Sequence, residues 1–210
     1  MSARQPASLL TDLDTAFALI PDEPDAHALL TELLGHTPVP RHGLAVVLRS
    51  RLGGLARAFA QQHRSWRVTA VDPSVALLSA SLEAIRPAGL SCQLTVMQSH
   101  PPALPLDDTS VHLLLADLPL AHLANPSALA TWCTELRRVM APAGRFILRV
   151  ARPGAHWPPD WPPAFRTALA SPAAGAFSVE AVCTHLAATG LQVTVRDGDT
   201  IGVVTLDGRS

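Results

Sequence analysis

An apolar run, Leu44-Ala45-Val46-Val47-Leu48, leads through Arg49-Ser50-Arg51-Leu52-Gly53-Gly54 into an alanine-rich segment that starts at Leu55. About 20 residues further on, a second apolar run, Val68-Thr69-Ala70-Val71, ends in Asp72. This order predicts a strand, a tight turn, a helix and a second strand. In such a βαβ unit the first turn approaches a nucleotide cofactor, and the acid after the second strand binds ribose hydroxyls.

The same alternation continues along the chain and predicts a three-layer α/β fold. Apolar runs of strand length alternate with segments of helical period, which favours a mostly parallel sheet with helices on both faces. An Asp-Gly pair between the last two runs predicts a closing hairpin with one antiparallel strand. The predicted strands are Leu44–Leu48, Arg67–Val71, Ser91–Met97, Val111–Leu115, Arg145–Val150, Leu191–Val195 and Ile201–Leu206. The predicted helices are Ser8–Ile20, Asp25–Leu34, Leu52–His63, Ser74–Ile85, Pro126–Met140 and Ser178–Thr189.

The domain organisation follows from this pattern. Residues 1–40 are expected to form a helical extension, and residues 41–210 the α/β domain. Residues 152–176, which include Trp157-Pro158-Pro159-Asp160-Trp161-Pro162-Pro163, are expected to form a loop over the carboxyl edge of the sheet, where ligands of such sheets bind.

Composition excludes several functional classes. The formal net charge of −1 gives no signal for binding nucleic acid or anionic membranes, and no apolar run reaches the ~20 residues of a spanning helix. All 16 basic residues are arginine, which excludes a Schiff-base lysine. The cysteines Cys92, Cys133 and Cys183 are too widely spaced for a zinc motif, so no metal is expected. A cytoplasmic location is the expectation from the N-terminus, which lacks a signal-peptide pattern.

Four segments in order resemble the class I S-adenosylmethionine (SAM) dependent methyltransferases, in the ubiquinone/menaquinone, or type 11, branch. They are Val71-Asp72-Pro73-Ser74, residues 103–115, residues 135–146, and Phe177-Ser178-Val179-Glu180 with Gly190. The resemblance covers roughly residues 44–206. It implies SAM as cofactor, a small-molecule substrate, and the Rossmann-like seven-stranded sheet of that family, with helices on both faces.

Departures from the family pattern are concentrated at the cofactor. The first motif of the family is an acid followed by Gly-x-Gly-x-Gly; here Val47 takes the acid position and Arg49 and Arg51 the first two glycine positions. Gly53 matches the third glycine. Side chains at these positions occupy space that the cofactor needs, because it lies against the backbone.

Two further departures are histidines. His100 stands where the family often has an acid that contacts the adenine amine. His112 replaces the acid that usually opens the fourth strand.

Several roles stay open for these residues. Asp72 either binds the ribose or caps the following helix. Arg49 and Arg51 either fill the former cofactor space, point to solvent, or hold an anionic ligand together with His100. His122, after the fourth strand, is either a general base for the substrate or a loop histidine bonded to backbone.

Two functions therefore remain. The first is a methyltransferase-family protein with a degenerate cofactor site that is non-catalytic or depends on a partner. The second is an active SAM-dependent methyltransferase of a small molecule. A second copy or a related methyltransferase subunit is the expected partner, contacted through the loop that carries Trp157 and Trp161.

Overall fold

The computed structural model describes residues 26–35, 39–48, 52–100, 102–117, 123, 125–151, 177–197 and 203–210. The described helices are α1 (Ala26–Leu34), α2 (Gly54–Gln62), α3 (Val75–Ile85), α4 (Pro126–Val139) and α5 (Val179–Ala188). The strands are β1 (Leu44–Leu48), β2 (Arg67–Asp72), β3 (Leu94–Gln98), β4 (Val111–Asp117), β5 (Met140–Ala151), β6 (Gln192–Asp197) and β7 (Val203–Arg209). The predicted helix Ser8–Ile20 lies outside the described residues.

All seven strands form one sheet in the order β3-β2-β1-β4-β5-β7-β6. The pairs from β3 through β5 are parallel, whereas β7 is antiparallel to both β5 and β6. The predicted fold class, a mostly parallel sheet with one antiparallel strand from a terminal hairpin, is therefore confirmed. The strand order changes direction between β1 and β4, and ligands of open α/β sheets bind at such a point.

Alternate side chains of the strands enter two apolar cores, one on each face of the sheet. On one face Val46 and Phe146 pack with Trp132 of α4 and Leu186 of α5. On the other face, the apolar residues of β1, β2 and β4 pack with α1, α2 and α3 through Leu30, Leu33, Phe59 and Ile85. Burying one large apolar side chain contributes roughly 1.5–3 kcal/mol, so these two layers hold the helices on the sheet.

Capping side chains fix where three of the helices begin. Ser74 caps α3 by accepting a hydrogen bond from the backbone N–H of Leu77. Asn125 caps α4 in the same way, with Pro126 in the first turn, and Ser178 caps α5. Each cap satisfies an N–H that has no partner inside the helix.

The largest difference from the sequence prediction is the start of β5. Residues 141–144 were expected to be a connector, but β5 already begins at Met140, which pairs with Val111. The register shifts between Val111 and Leu113, so the extra residues are absorbed as an irregularity in the ladder. Ala143 takes a positive φ of 59° there, a conformation that costs an L-residue roughly 1–2 kcal/mol. Proline and glycine in this segment suggested a turn, and only the pairing with β4 makes it part of a strand.

The connection from β3 to β4 contains no helix in its described residues, 99–100 and 102–110, and one side chain of α4 holds it in place. The Arg138 guanidinium donates to the backbone carbonyls of Leu104 and Leu106, each at 2.9 Å, and to the carboxylate of Asp108. It also forms two hydrogen bonds with Glu135, at 2.7 and 2.6 Å. Glu135 in turn accepts from the N–H of Leu104 at 2.8 Å. We call this set of contacts the Arg138 clamp.

The Arg138 clamp shifts the pKa values of both Glu135 and Arg138. The hydrogen bond from Arg138 is the main reason that the pKa of Glu135 lies below its usual value, although burial opposes this shift. The pKa of Arg138 is raised, chiefly by its hydrogen bond to Glu135. A carboxyl whose pKa is lowered on folding stabilises the fold above its unfolded pKa, about 4.3 for Glu. That stabilisation is lost as the pH falls through the folded pKa.

We predict that Arg138→Gln lowers the free energy of unfolding by about 2 kcal/mol, because it leaves two carbonyls and one half-buried carboxylate without their charged donor. The matched control is Arg137→Gln on the neighbouring, exposed position of α4, which should change stability by less than about 0.5 kcal/mol. Urea unfolding at pH 7 measures both. At pH 3 the difference in free energy of unfolding between the Arg138 variant and the wild-type protein should be smaller. Equal stability of the Arg138 and Arg137 variants at pH 7 would contradict the stabilising role of the Arg138 clamp.

Candidate cofactor site at the carboxyl edge of the sheet

The carboxyl ends of β1, β2 and β3 lie at one edge of the sheet, beside the point where the strand order reverses. Asp72 is the last residue of β2, level with Gln98 at the end of β3. Gly53 begins α2, which follows β1 in the chain. The structure therefore brings the second acid and the third glycine of the resemblance to the same edge.

Asp72 is fully buried, with no exposed surface. Its Oδ1 accepts a hydrogen bond from the backbone N–H of Ser74 at 3.0 Å, which closes a tight turn ahead of α3. The N-cap of α3 is the Ser74 side chain, and Asp72 precedes it. The carboxylate thus orders the turn, and a ribose could reach it only if it became exposed.

Gly53 supplies a backbone conformation that other residues adopt at a cost. It has φ 80° and ψ 11° at the N-cap position of α2, and it provides no side-chain cap. A Cβ atom built on it would lie 3.0 Å from Oγ of Ser81 on α3. Gly53 therefore lets the start of α2 pack directly against α3. Ser81 is buried, and sequence reasoning missed it because no spacing links it to Gly53.

His100 lies in the connection that follows β3 and is exposed. Its Nε2 is 3.4 Å from Nε2 of Gln98, which itself donates to the carbonyl of Pro73 at 3.1 Å. Ser99, between them, is buried and donates to the carbonyl of Ala103. His100 therefore stands near the turn after Asp72, where its imidazole can donate or accept a hydrogen bond.

Val47, which takes the position of the family's first acid, belongs to the apolar core. Its side chain is 1% exposed and packs in the cluster that includes Ala45, Ala70 and Leu115. No charged group of β1 is presented to a ligand from this position. The described residues therefore fit SAM only in part: the backbone turn at Gly53 is kept, while Asp72 is covered and the first acid is replaced.

Three predicted site residues, Arg49, Arg51 and His122, lie outside the described residues. The same holds for the loop that carries Trp157 and Trp161. Their predicted roles stay predictions.

Another cavity among the described residues lies at the opposite edge of the sheet. It has a volume of about 600 Å³ and is lined at the amino ends of the strands by Leu44, Arg67, Ser110 and His112, among others. His112 accepts a hydrogen bond from the N–H of Leu44 at 3.3 Å and meets Trp66 edge to face. Its contacts are those of a packing residue at the start of β4.

The described residues offer little support for catalysis by a cysteine thiol or by a bound metal ion. Cys133 is buried, and burial raises the pKa of its thiol to about 12, so it stays protonated at neutral pH. Burial also raises the pKa of Cys183. No group of three or more His, Cys, Asp or Glu side chains within the described ranges is arranged to hold a metal ion. None of the described helices is long and apolar enough to cross a membrane.

Comparison with known proteins finds a matching domain model and solved structures of similar fold. A family model described as a methyltransferase domain matches residues 52–144. A SAM-dependent methyltransferase from Aquifex aeolicus has a TM-score of 0.63 at 16% identity, with 99% of each chain covered. Geranyl diphosphate C-methyltransferase from Streptomyces coelicolor A3(2), solved with S-adenosyl-L-homocysteine, has a TM-score of 0.69 at 14% identity, covering 87% of this chain and 75% of that chain. No curated protein sequence matches the chain.

The methyltransferase-domain match covers residues 52–144, less than half of the chain, and the solved structures share its fold. At 14–16% identity the structural likeness establishes the fold and leaves the activity open. The matched region starts at Leu52, directly after the segment in which the two arginines take glycine positions.

We predict that Gly53→Ala destabilises the protein more than Gly89→Ala does. Both glycines have positive φ, at 80° and 68°, so each substitution should cost roughly 1–2 kcal/mol in backbone strain. A Cβ at Gly89 meets no atom within 4 Å, whereas at Gly53 it meets Ser81, which adds about 1 kcal/mol. Urea unfolding of the two variants gives the difference. Equal losses would mean that Ser81 moves aside freely.

Proposed function

We propose that this protein is a methyltransferase-family member with a degenerate cofactor site, which is non-catalytic or needs a partner for activity. The observation that carries this proposal is the complete burial of Asp72 at the edge where the cofactor's ribose would lie. A carboxylate that binds ribose hydroxyls must have at least one oxygen open to the ligand. Here Oδ1 is engaged by the N–H of Ser74.

The environment of β1 supports the same conclusion. Leu48, its last residue, is in register with Val71, so the chain leaves β1 one residue short of the level of Asp72. The next residues are Arg49-Ser50-Arg51. We propose that one of these arginines fills the space of the cofactor and pairs with the carboxylate, because a buried carboxylate is most stable beside a cation.

The alternative is an active SAM-dependent methyltransferase of a small molecule. It is favoured by the retained left-handed turn at Gly53 and by neighbours such as geranyl diphosphate C-methyltransferase, whose structure holds S-adenosyl-L-homocysteine. When bound, SAM would supply the methyl group, and the protein would contribute mainly the positioning of the acceptor. In this case Asp72 must turn outward on binding, and His122 is the candidate base.

Calorimetric titration with SAM and S-adenosylhomocysteine separates the two functions. We expect no saturable binding by the wild-type protein up to about 100 µM, a concentration at which a ligand with a micromolar Kd would saturate its site. The double variant Arg49→Gly, Arg51→Gly should bind SAM at least tenfold more tightly than the wild-type protein, because it lacks two long side chains and two positive charges in this segment. Arg64→Gly with Arg86→Gly, which changes two exposed arginines elsewhere, is the control and should gain nothing.

Micromolar binding by the wild-type protein would overturn the degenerate-site proposal and favour the active enzyme. In that outcome Asp72→Ala should weaken binding more than tenfold, since a lost charge-assisted hydrogen bond costs at least about 1.4 kcal/mol.

We further propose that the partner is a second copy or a related methyltransferase subunit, bound through the proline-rich loop at residues 157–166. Tryptophan, phenylalanine and arginine are frequent anchors of interfaces, and this loop supplies Trp157, Trp161, Phe165 and Arg166. Its prolines restrict the free loop and so lower the entropy lost on binding.

Light scattering and pull-down with the double variant Trp157→Ala, Trp161→Ala test this interface. We expect the wild-type protein to associate and the double variant to lose association. Trp132→Phe, which replaces a tryptophan in the core of the domain, is the control for the loss of a tryptophan elsewhere. This variant should associate as the wild-type protein does. A monomeric wild type that captures no subunit, or a double variant that associates equally well, would rule the interface out.

A further inference from the structure

The far end of the sheet carries a polar cluster that the proposed function does not use. It lies on one face of β5, β7 and β6, where cross-strand pairs place Arg209 between Arg145 and Gln192, and Asp207 beside Thr194. Together with Arg196 and Gly208, these residues line a cavity of about 300 Å³. It is formed by the closing hairpin, at the opposite end of the sheet from β2, which carries Asp72.

The charges in this cavity are not balanced. Among the described residues that line it, three arginines face one carboxylate, which gives them a net charge of +2. Asp207 accepts from Nε of Arg145 at 2.7 Å and from a second nitrogen of the same guanidinium, so this pair is bidentate. Arg196 reaches the same carboxylate only at 3.5 Å, and its NH2 group donates to the carbonyl of Leu33 at the end of α1.

Two donors of the cluster are buried without a partner. Within the described part of the chain, neither Nη1 of Arg145 nor Nε of Arg196 has a protein hydrogen-bond acceptor. The Arg145 side chain is only 11% exposed. A buried charged donor that makes no hydrogen bond is unfavourable, so an acceptor in the cavity would stabilise both guanidinium groups.

We propose that this cavity is a binding site for a phosphate-sized oxyanion. A tetrahedral oxyanion presents several acceptor oxygens at once, and guanidinium groups are the donors best suited to it. Arg145 and Arg196 supply the buried donors, while Arg209, Thr194 and Gln192 supply donors at the exposed rim. Asp207 has the separate role of holding the Arg145 guanidinium in its orientation.

The chemistry fits a free phosphate ion or the phosphate of a small organic monoester equally. Either carries between one and two negative charges at neutral pH, opposite in sign to the net charge of the cluster. Since the donors come from strands β5, β6 and β7, which pair with one another, binding would also hold the closing hairpin against β5. The ligand should therefore stabilise the folded state by mass action.

Calorimetric titration of the full-length protein with sodium phosphate, and separately with glycerol 3-phosphate, tests the proposal at constant ionic strength set with sodium chloride. We expect one saturable site with a Kd of 1 mM or below for at least one of the two probes, and a higher Tm in its presence. Tighter binding of inorganic phosphate indicates a free anion, and tighter binding of the ester indicates a phosphorylated small molecule; both support the site.

Substitutions of the arginines test whether phosphate binds in this cavity. Arg196→Gln and Arg209→Gln should each weaken binding at least fivefold, whereas Arg137→Gln, an exposed arginine on α4, should leave the Kd unchanged. Arg145→Gln combined with Asp207→Asn removes the bidentate pair together, so that no unpaired carboxylate remains; it should abolish binding while the protein stays folded by circular dichroism. Absence of saturable binding for both probes, or equal weakening by the Arg137 control, would overturn the proposal.

Discussion

The guanidinium of Arg138 fixes the path of the chain into the centre of the sheet. β4 lies between β1 and β5, and the segment that precedes it has no helix in its described residues to hold it. By donating to the carbonyls of Leu104 and Leu106 and binding Glu135, Arg138 ties that segment to α4. α4 is itself anchored in the core by Trp132 and other residues. One polar contact set therefore joins α4 to the entry of β4 across about 30 residues of sequence, in addition to the pairing of β4 with β1 and β5.

How much the sequence predicts depends on how local the determining contacts are. β1 was predicted with its observed bounds, Leu44–Leu48, because five apolar residues in a row are buried on both faces. The cap at Ser74 was equally local. The start of β5 was not predicted, because Pro142 and Gly144 suggest a turn and the ladder there depends on pairing with Val111. Local rules fail where a distant strand decides the conformation.

Whether a site residue could be predicted also depends on how local its contacts are. The βαβ pattern predicts that Asp72 and Gly53 follow neighbouring strands at the carboxyl edge of the sheet, and both lie at that edge. It could not predict that Asp72 is buried, or that Ser81 would face Gly53, because both depend on how α2 and α3 pack. The arginine cluster of the hairpin was beyond sequence reasoning for a related reason. Arg145, Arg196 and Arg209 are far apart in the chain, and only the order β5-β7-β6 brings them to one face.

The substitutions at the cofactor edge also bear on stability. A carboxylate at the position of Val47 would be surrounded by Ala45, Ala70 and Leu115, so it would lose its hydration unless a cation or several donors faced it. Valine removes that cost and adds to the apolar core. Stability alone therefore favours valine at this position. An acid introduced there alone would place a charge in an apolar layer. Changing the two arginines leaves that layer as it is, but it removes the cation proposed beside Asp72, so the unfolding of that variant has to be measured together with its SAM binding.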